Sequence, residues 1–149
     1  MKSASAYMSA QEWIFHSDSK TTAGVDLATE PFIKIKSPFT AYDVVEAIKQ
    51  VLNAGKINIP HPTDWKVQAE SYDRNMGYSS KKLQKTFAYC MIEMDESFLY
   101  FTPTNNFGPN KGYTFLPAHR IKVENSSSTE DIYDAFLRAM KTSKESVED

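Results

Sequence analysis

His61 and Asp64 stand three residues apart in the segment His61-Pro62-Thr63-Asp64, and a histidine with a nearby carboxylate is the raw material of a general base and its orienting partner. Pro60 and Pro62 hold that segment, and an isolated histidine has many structural uses, so the pattern favours a rigid surface loop over a base pair or a metal ligand. The other histidines, His16 and His119, lie far away in sequence, whereas a metal site needs ligands at short spacing or a fold that gathers them. Cys90, the single cysteine, sits inside the apolar run Phe87 to Met94. A nucleophilic thiolate needs exposure and a positive neighbourhood. A buried strand offers neither, so Cys90 reads as a small core residue. Asp95 and Glu96 are adjacent, and neighbours at a hairpin tip point apart, which makes them a solvated turn rather than an acid/base pair. Neither G-x-G-x-x-G nor G-x-x-x-x-G-K-S/T occurs, so no phosphate cradle is announced. The expectation is a protein that is not an enzyme and carries no cofactor and no metal.

Two further patterns bear on nucleic acid. Phe98, Tyr100 and Phe101 could stack bases on a sheet, but that platform needs Lys or Arg beside it, and residues 87–103 contain none. Core packing is the better account of the three rings. Lys81, Lys82 and Lys85, next to Arg74, make one cationic cluster, which reads as a solvated face or a contact to an acidic partner. The chain as a whole has 17 Lys and Arg against 19 Asp and Glu, a formal charge of −2, where a general nucleic-acid binder would be basic. No nucleic-acid partner is expected.

The elements that must carry these residues alternate. Gln11 to His16 and Pro31 to Lys36 read as strands, the second from the alternation Ile33-Lys34-Ile35-Lys36, with Ser17 to Thr22 as a turn between them. Ala41, Val44, Val45, Ile48, Val51 and Leu52 form one helical stripe over 41–54, opened by a Thr40/Asp43 capping box and closed by Gly55 as a left-handed cap. Trp65, Val67 and Ala69 alternate with polar residues as a short strand, and 71–80 reads as a connection followed by one helical turn over 80–85. Phe87 to Met94 and Phe98 to Thr102 form a hairpin that sets Cys90, Ile92 and Met94 opposite Thr102, Tyr100 and Phe98, with Pro103 ending the second strand. Short strands at 113–116 and 119–124 follow, and a helix over 129–142 buries Ile132, Ala135, Phe136, Ala139 and Met140. Residues 1–10 and 143–149 are small or polar and are expected to be disordered. Strands, helix, strands, helix predict one α+β domain over 1–149, a mainly antiparallel sheet packed with helices at about 40–54 and 129–142. One unpaired cysteine suits a reducing compartment, and neither a signal-peptide core nor a membrane-length apolar run appears. A cytoplasmic protein without a membrane partner is expected.

Over residues 72–143 the succession Tyr78-Ser79-Ser80-Lys81-Lys82-Leu83, Cys90-Met91-Ile92-Glu93-Met94 and Phe98-Leu99-Tyr100-Phe101-Thr102-Pro103 resembles the immunity proteins of bacterial contact-dependent growth inhibition systems, the CdiI type. The loop Asn105 to Gly112, the strand leading to Ile121 and Val123, and the Ser126-Ser127-Ser128 cap before the last helix continue the resemblance. It implies a protein that binds the C-terminal domain of a cognate toxin, commonly a nuclease, and occludes its active site without turnover. No residue transfers by motif. On physical grounds the candidate partner-binding residues are Asp64, Trp65, Glu70, Tyr72 and Asp73 in one loop region and Phe107 in another, because loops on a rigid scaffold carry contacts and aromatic anchors beside carboxylates suit them. The alternatives are a non-catalytic adaptor with another protein partner, or a small hydrolase or nuclease using His61, Asp64 and a distant group.

Overall fold

The computed structural model describes residues 1–108 and 111–147. Among these, seven strands and four α-helices form an α+β domain built on one antiparallel sheet. The strands are β1 (Lys2–Met8), β2 (Glu12–Lys20), β3 (Asp26–Lys36), β4 (Ala88–Met94), β5 (Phe98–Asn106), β6 (Tyr113–Phe115) and β7 (Ile121–Glu124). The helices are α1 (Ala41–Ala54), α2 (Trp65–Met76), α3 (Ser80–Thr86) and α4 (Thr129–Val147). The order across the sheet is β3-β2-β1-β4-β5-β6, and β7 pairs with the other half of β5. No described helix is long and apolar enough to cross a membrane.

One face of the sheet carries the main core. Val44, Val45, Ile48, Val51 and Leu52 of α1 and Ile132, Ala135, Phe136, Ala139 and Met140 of α4 are buried against Ala4, Ala6, Phe15, Cys90, Ile92, Leu99 and Phe101. Each large side chain removed from water there contributes about 1.5–3 kcal/mol. Both helices match the periodicity, and both halves of the Thr40/Asp43 capping box are formed, with Asp43 N–H donating to Thr40 Oγ1 at 3.2 Å. Ser128 Oγ accepts from Asp131 N–H at the start of α4. Burial pushes the Cys90 thiol well above its ordinary range and keeps it protonated.

The ends of the chain depart from expectation. The segment 1–10 contains β1, the strand between β2 and β4, with Ala4 and Ala6 fully buried. Its small residues lack an apolar signature because helices lie directly over them. At the other end, residues 143–147 continue α4, and the buried Ser143 Oγ donates to the Tyr89 carbonyl; residues 148–149 lie outside the described residues. The expected turn over 17–22 is largely strand, because β2 runs to Lys20. Its buried serines are satisfied at long range: Ser17 Oγ donates to the Val51 carbonyl, and Ser19 Oγ pairs with Thr29 Oγ1 at 2.7 Å.

Three local readings also change. Trp65, Val67 and Ala69 belong to a helix, since Asp64 Oδ1 caps α2 by accepting from Lys66 and Val67 N–H, and Gly77 closes it at φ 80°. Gly55 is not left-handed. It lies at φ −59°, and its need is space, because a Cβ there would sit 2.8 Å from the Asp18 carbonyl oxygen. Pro103 does not end β5 but lies within it, opposite Cys90.

The hairpin register is one residue from the expected one: Cys90, Ile92 and Met94 face Pro103, Phe101 and Leu99. A one-residue slip exchanges the faces of a strand. It sends Leu99 and Phe101 into the core and leaves Phe98 and Tyr100 on the opposite, half-open face. There β7 and the residue before it supply the cations missing from residues 87–103: Lys122 Nζ lies 3.8 Å from the Phe98 ring centroid and Arg120 lies over Tyr100. Both rings are thereby covered rather than open for stacking.

Asp95 sets that register. Its Oδ1 accepts from Ser97 and Phe98 N–H at 2.8 and 2.7 Å, and its Oδ2 accepts from the Tyr100 hydroxyl at 2.7 Å. The Tyr100 bond first, then the two amides, hold its carboxyl below the usual aspartate range. A depressed folded value adds stability above the unfolded value, and this is lost as pH falls through the folded one. Asp95→Asn is therefore expected to be less stable than wild type at neutral pH, with the gap closing as the solution is acidified. Urea midpoints across the acid range check this, and a gap that holds constant rejects it.

Candidate partner-binding surface

The second face of the sheet is covered by α2 and α3, and here the site begins from tyrosines. Tyr7, Ile14 and Phe87 pack with Met76 of α2 and Leu83 of α3, flanked by Phe32, Tyr72, Tyr78, Tyr89 and Tyr113. Met76 is the only buried residue of α2. Much of its attachment is polar. The Tyr72 hydroxyl donates to that of Tyr7 at 3.2 Å and lies 3.4 Å from His16 Nε2, with the two rings edge-on at 5.6 Å. Burial pushes the Tyr72 phenol up to about 12, and it raises Tyr7, Tyr89 and Tyr113 further, so all four hydroxyls stay protonated.

Beneath Tyr72 the network continues through His16, Asp18 and Ser5. His16 Nδ1 lies 3.0 Å from the Ser17 carbonyl and 3.4 Å from Asp18 Oδ1, and Ser5 Oγ donates to Asp18 Oδ2 at 2.8 Å. The order is serine, aspartate, histidine. A nucleophilic serine needs the imidazole next to it as base. Here the carboxylate occupies that place, so the trio is a structural clamp. Tyr72→Phe removes the hydroxyl that joins α2 to two buried partners. It is expected to destabilise the chain by about 1–3 kcal/mol and to raise hydrogen exchange in α2. Unchanged exchange in α2 would reject the clamp.

The sequence-predicted contact residues divide. Asp64 and Trp65 meet at the start of α2, where Trp65, 50% exposed, packs edge-on against His61 at 5.3 Å. His61 Nδ1 is 3.0 Å from Thr21 Oγ1 while Asp64 caps α2, so His61 and Asp64 are engaged by different partners and do not form a pair. Val67, Glu70 and Arg74, spaced at helical period on α2, are exposed. Asp73 Oδ1 accepts from Ser80 Oγ at 3.4 Å and ties α3 to α2. Tyr72 turns inward. Phe107, 56% exposed, makes no ring contact among the described residues, and its loop is held to α3 through Asn106 and Gln84. The tyrosine-histidine network escaped sequence reasoning because its members come from β1, β2, α2, β4 and β6.

A cleft of about 400 Å³ borders α2, lined by Thr29, Glu30, Phe32, Lys56, Ser71 and Asn75 among others. Among the described residues no group of three His, Cys, Asp or Glu side chains is placed to hold a metal ion.

No protein-family model matches the chain, and no curated protein matches it in sequence. Solved structures do match its fold. One is a protein of unknown function from Neisseria meningitidis, at TM-score 0.74 and 13% identity over 95% of this chain and 94% of that one. Another is a chain of a CdiA-CT/CdiI toxin and immunity complex from Yersinia pseudotuberculosis, at TM-score 0.73 and 13% identity over 94% of this chain and 95% of that one. The likeness is therefore one of fold and spans nearly the full length on both sides.

Proposed function

We propose that this chain is an immunity protein that binds and neutralises the C-terminal toxin domain of a cognate contact-dependent growth inhibition effector. The near full-length fold likeness to a chain of a toxin and immunity complex carries the reading. In this reading the toxin is a nuclease, and the chain acts in the cytoplasm by occluding its active site. Nuclease sites hold phosphates and are electropositive, and carboxylates on an inhibitor both match them and speed encounter. Asp64, Glu70 and Asp73 supply carboxylates along α2, Trp65 and Phe107 supply exposed rings, and Tyr72 sets the helix from behind. His61 bonds Thr21 and Asp64 caps α2, which favours this reading over the hydrolase alternative built on His61, Asp64 and a distant group.

The test is co-purification with the toxin domain encoded immediately upstream, together with rescue of cells that express that domain. Binding with rescue is expected. A chain that neither binds nor protects is not its immunity protein.

A further inference from the structure

In the fold the cationic cluster of the sequence flanks the turn between α2 and α3, and gains a member. Gly77 turns the chain between α2 and α3, and the Ser80–Asp73 bond sets the last turn of one helix beside the first turn of the other. Arg74 is exposed at the end of α2. Lys81, Lys82 and Lys85 are exposed on α3, while Leu83 and Gln84 turn inward. Lys34 reaches over from β3, its Nζ so close that a Cβ on Gly77 would lie 2.9 Å away. None of these five cations forms an ion pair among the described residues, although the chain has more acids than bases.

Gathering unpaired like charges on a net-negative protein opposes their mutual repulsion, and a partner of opposite sign relieves it. We propose that this patch receives an acidic segment on the surface of the toxin domain, outside the phosphate-binding centre that the carboxylates of α2 face. The inference rests on the immunity reading and adds a second, oppositely charged contact to it. A folded protein fits better than a nucleic acid for two reasons. The patch borders Asp73 and lies on the same helix as Asp64 and Glu70, which a phosphate backbone would meet within a few residues. The one ring within the patch, Tyr78, is covered by Lys82, 5.7 Å from its centroid, and is not free to stack a base.

The experiment compares the full chain with a Lys81→Gln, Lys82→Gln, Lys85→Gln variant in stopped-flow association with the upstream toxin domain at low and at physiological salt. The association rate at low salt is expected to fall by about tenfold or more and its salt dependence to flatten, with dissociation little changed. Lys34→Gln with Arg74→Gln, on different elements, moves the rate in the same direction. Association and salt dependence equal to wild type for both variants overturn the proposal. So does micromolar binding of the unaltered chain to a fluorescent transfer RNA that the triple variant loses while toxin association is unchanged, which assigns the patch to nucleic acid. If the unaltered chain does not bind the toxin domain at all, the immunity reading falls and this inference with it.

Discussion

Phe136→Ala is expected to lower the stability of the chain by about 3–5 kcal/mol. Phe136 is 1% exposed on α4 and touches three other rings: Trp13 at 5.9 Å, Phe15 at 5.8 Å and Phe101 at 5.5 Å between centroids. Those rings come from β2 and β5, on either side of the β1–β4 pair, so α4 reaches across the centre of the sheet through this one side chain. Truncation removes its burial and leaves a void that strands on both sides cannot fill without bending. Domains are stable by only about 5–15 kcal/mol, so the variant sits near the limit of folding at ordinary temperature. Chemical denaturation gives the measurement, with Tyr42→Ala, 62% exposed on α1, as the comparison expected to stay within about 0.5 kcal/mol of wild type. Equal losses at the two positions would contradict the core described for α4.

Trp65→Ala carries the largest expected effect on the proposed activity. The indole is half exposed and packs on His61, with no hydrogen-bond partner among the described residues. Its loss therefore leaves the fold nearly as stable as before. An aromatic anchor at a protein interface is worth about 2 kcal/mol or more, roughly a thirtyfold change in Kd. Weakened binding of the toxin domain by calorimetry, with an unfolding midpoint close to wild type, is the expected pair of results. Unaltered affinity removes Trp65 from the interface. A large drop in stability instead makes it a pin for the loop 55–64.

The two effects differ because the side chains answer to different surroundings. Phe136 is fixed by apolar neighbours on every side, and the sequence already shows that stripe at helical period. Trp65 was visible as a ring beside carboxylates, yet its helix was not. Only one residue of α2 is buried, so no periodic pattern marks it, and its caps Asp64 and Gly77 are the local signs.

By itself the sequence determined the α+β class, the position of α1 and the start of α4, the opening of α1 by a capping box, and the burial of Cys90 in a strand. Each follows from a local pattern: one face of an element hidden by apolar groups, or a cap within three residues. Tertiary structure alone decided that β1 lies at the centre of the sheet, that the hairpin slips by one residue around Asp95, that Tyr7, His16 and Tyr72 join three elements, and that Lys34 comes up against the Gly77 turn between α2 and α3. Those features depend on partners tens of residues away. Small residues under a helix, serines satisfied across strands and cations brought together by a turn leave no period in the chain, because long-range register chooses their neighbours.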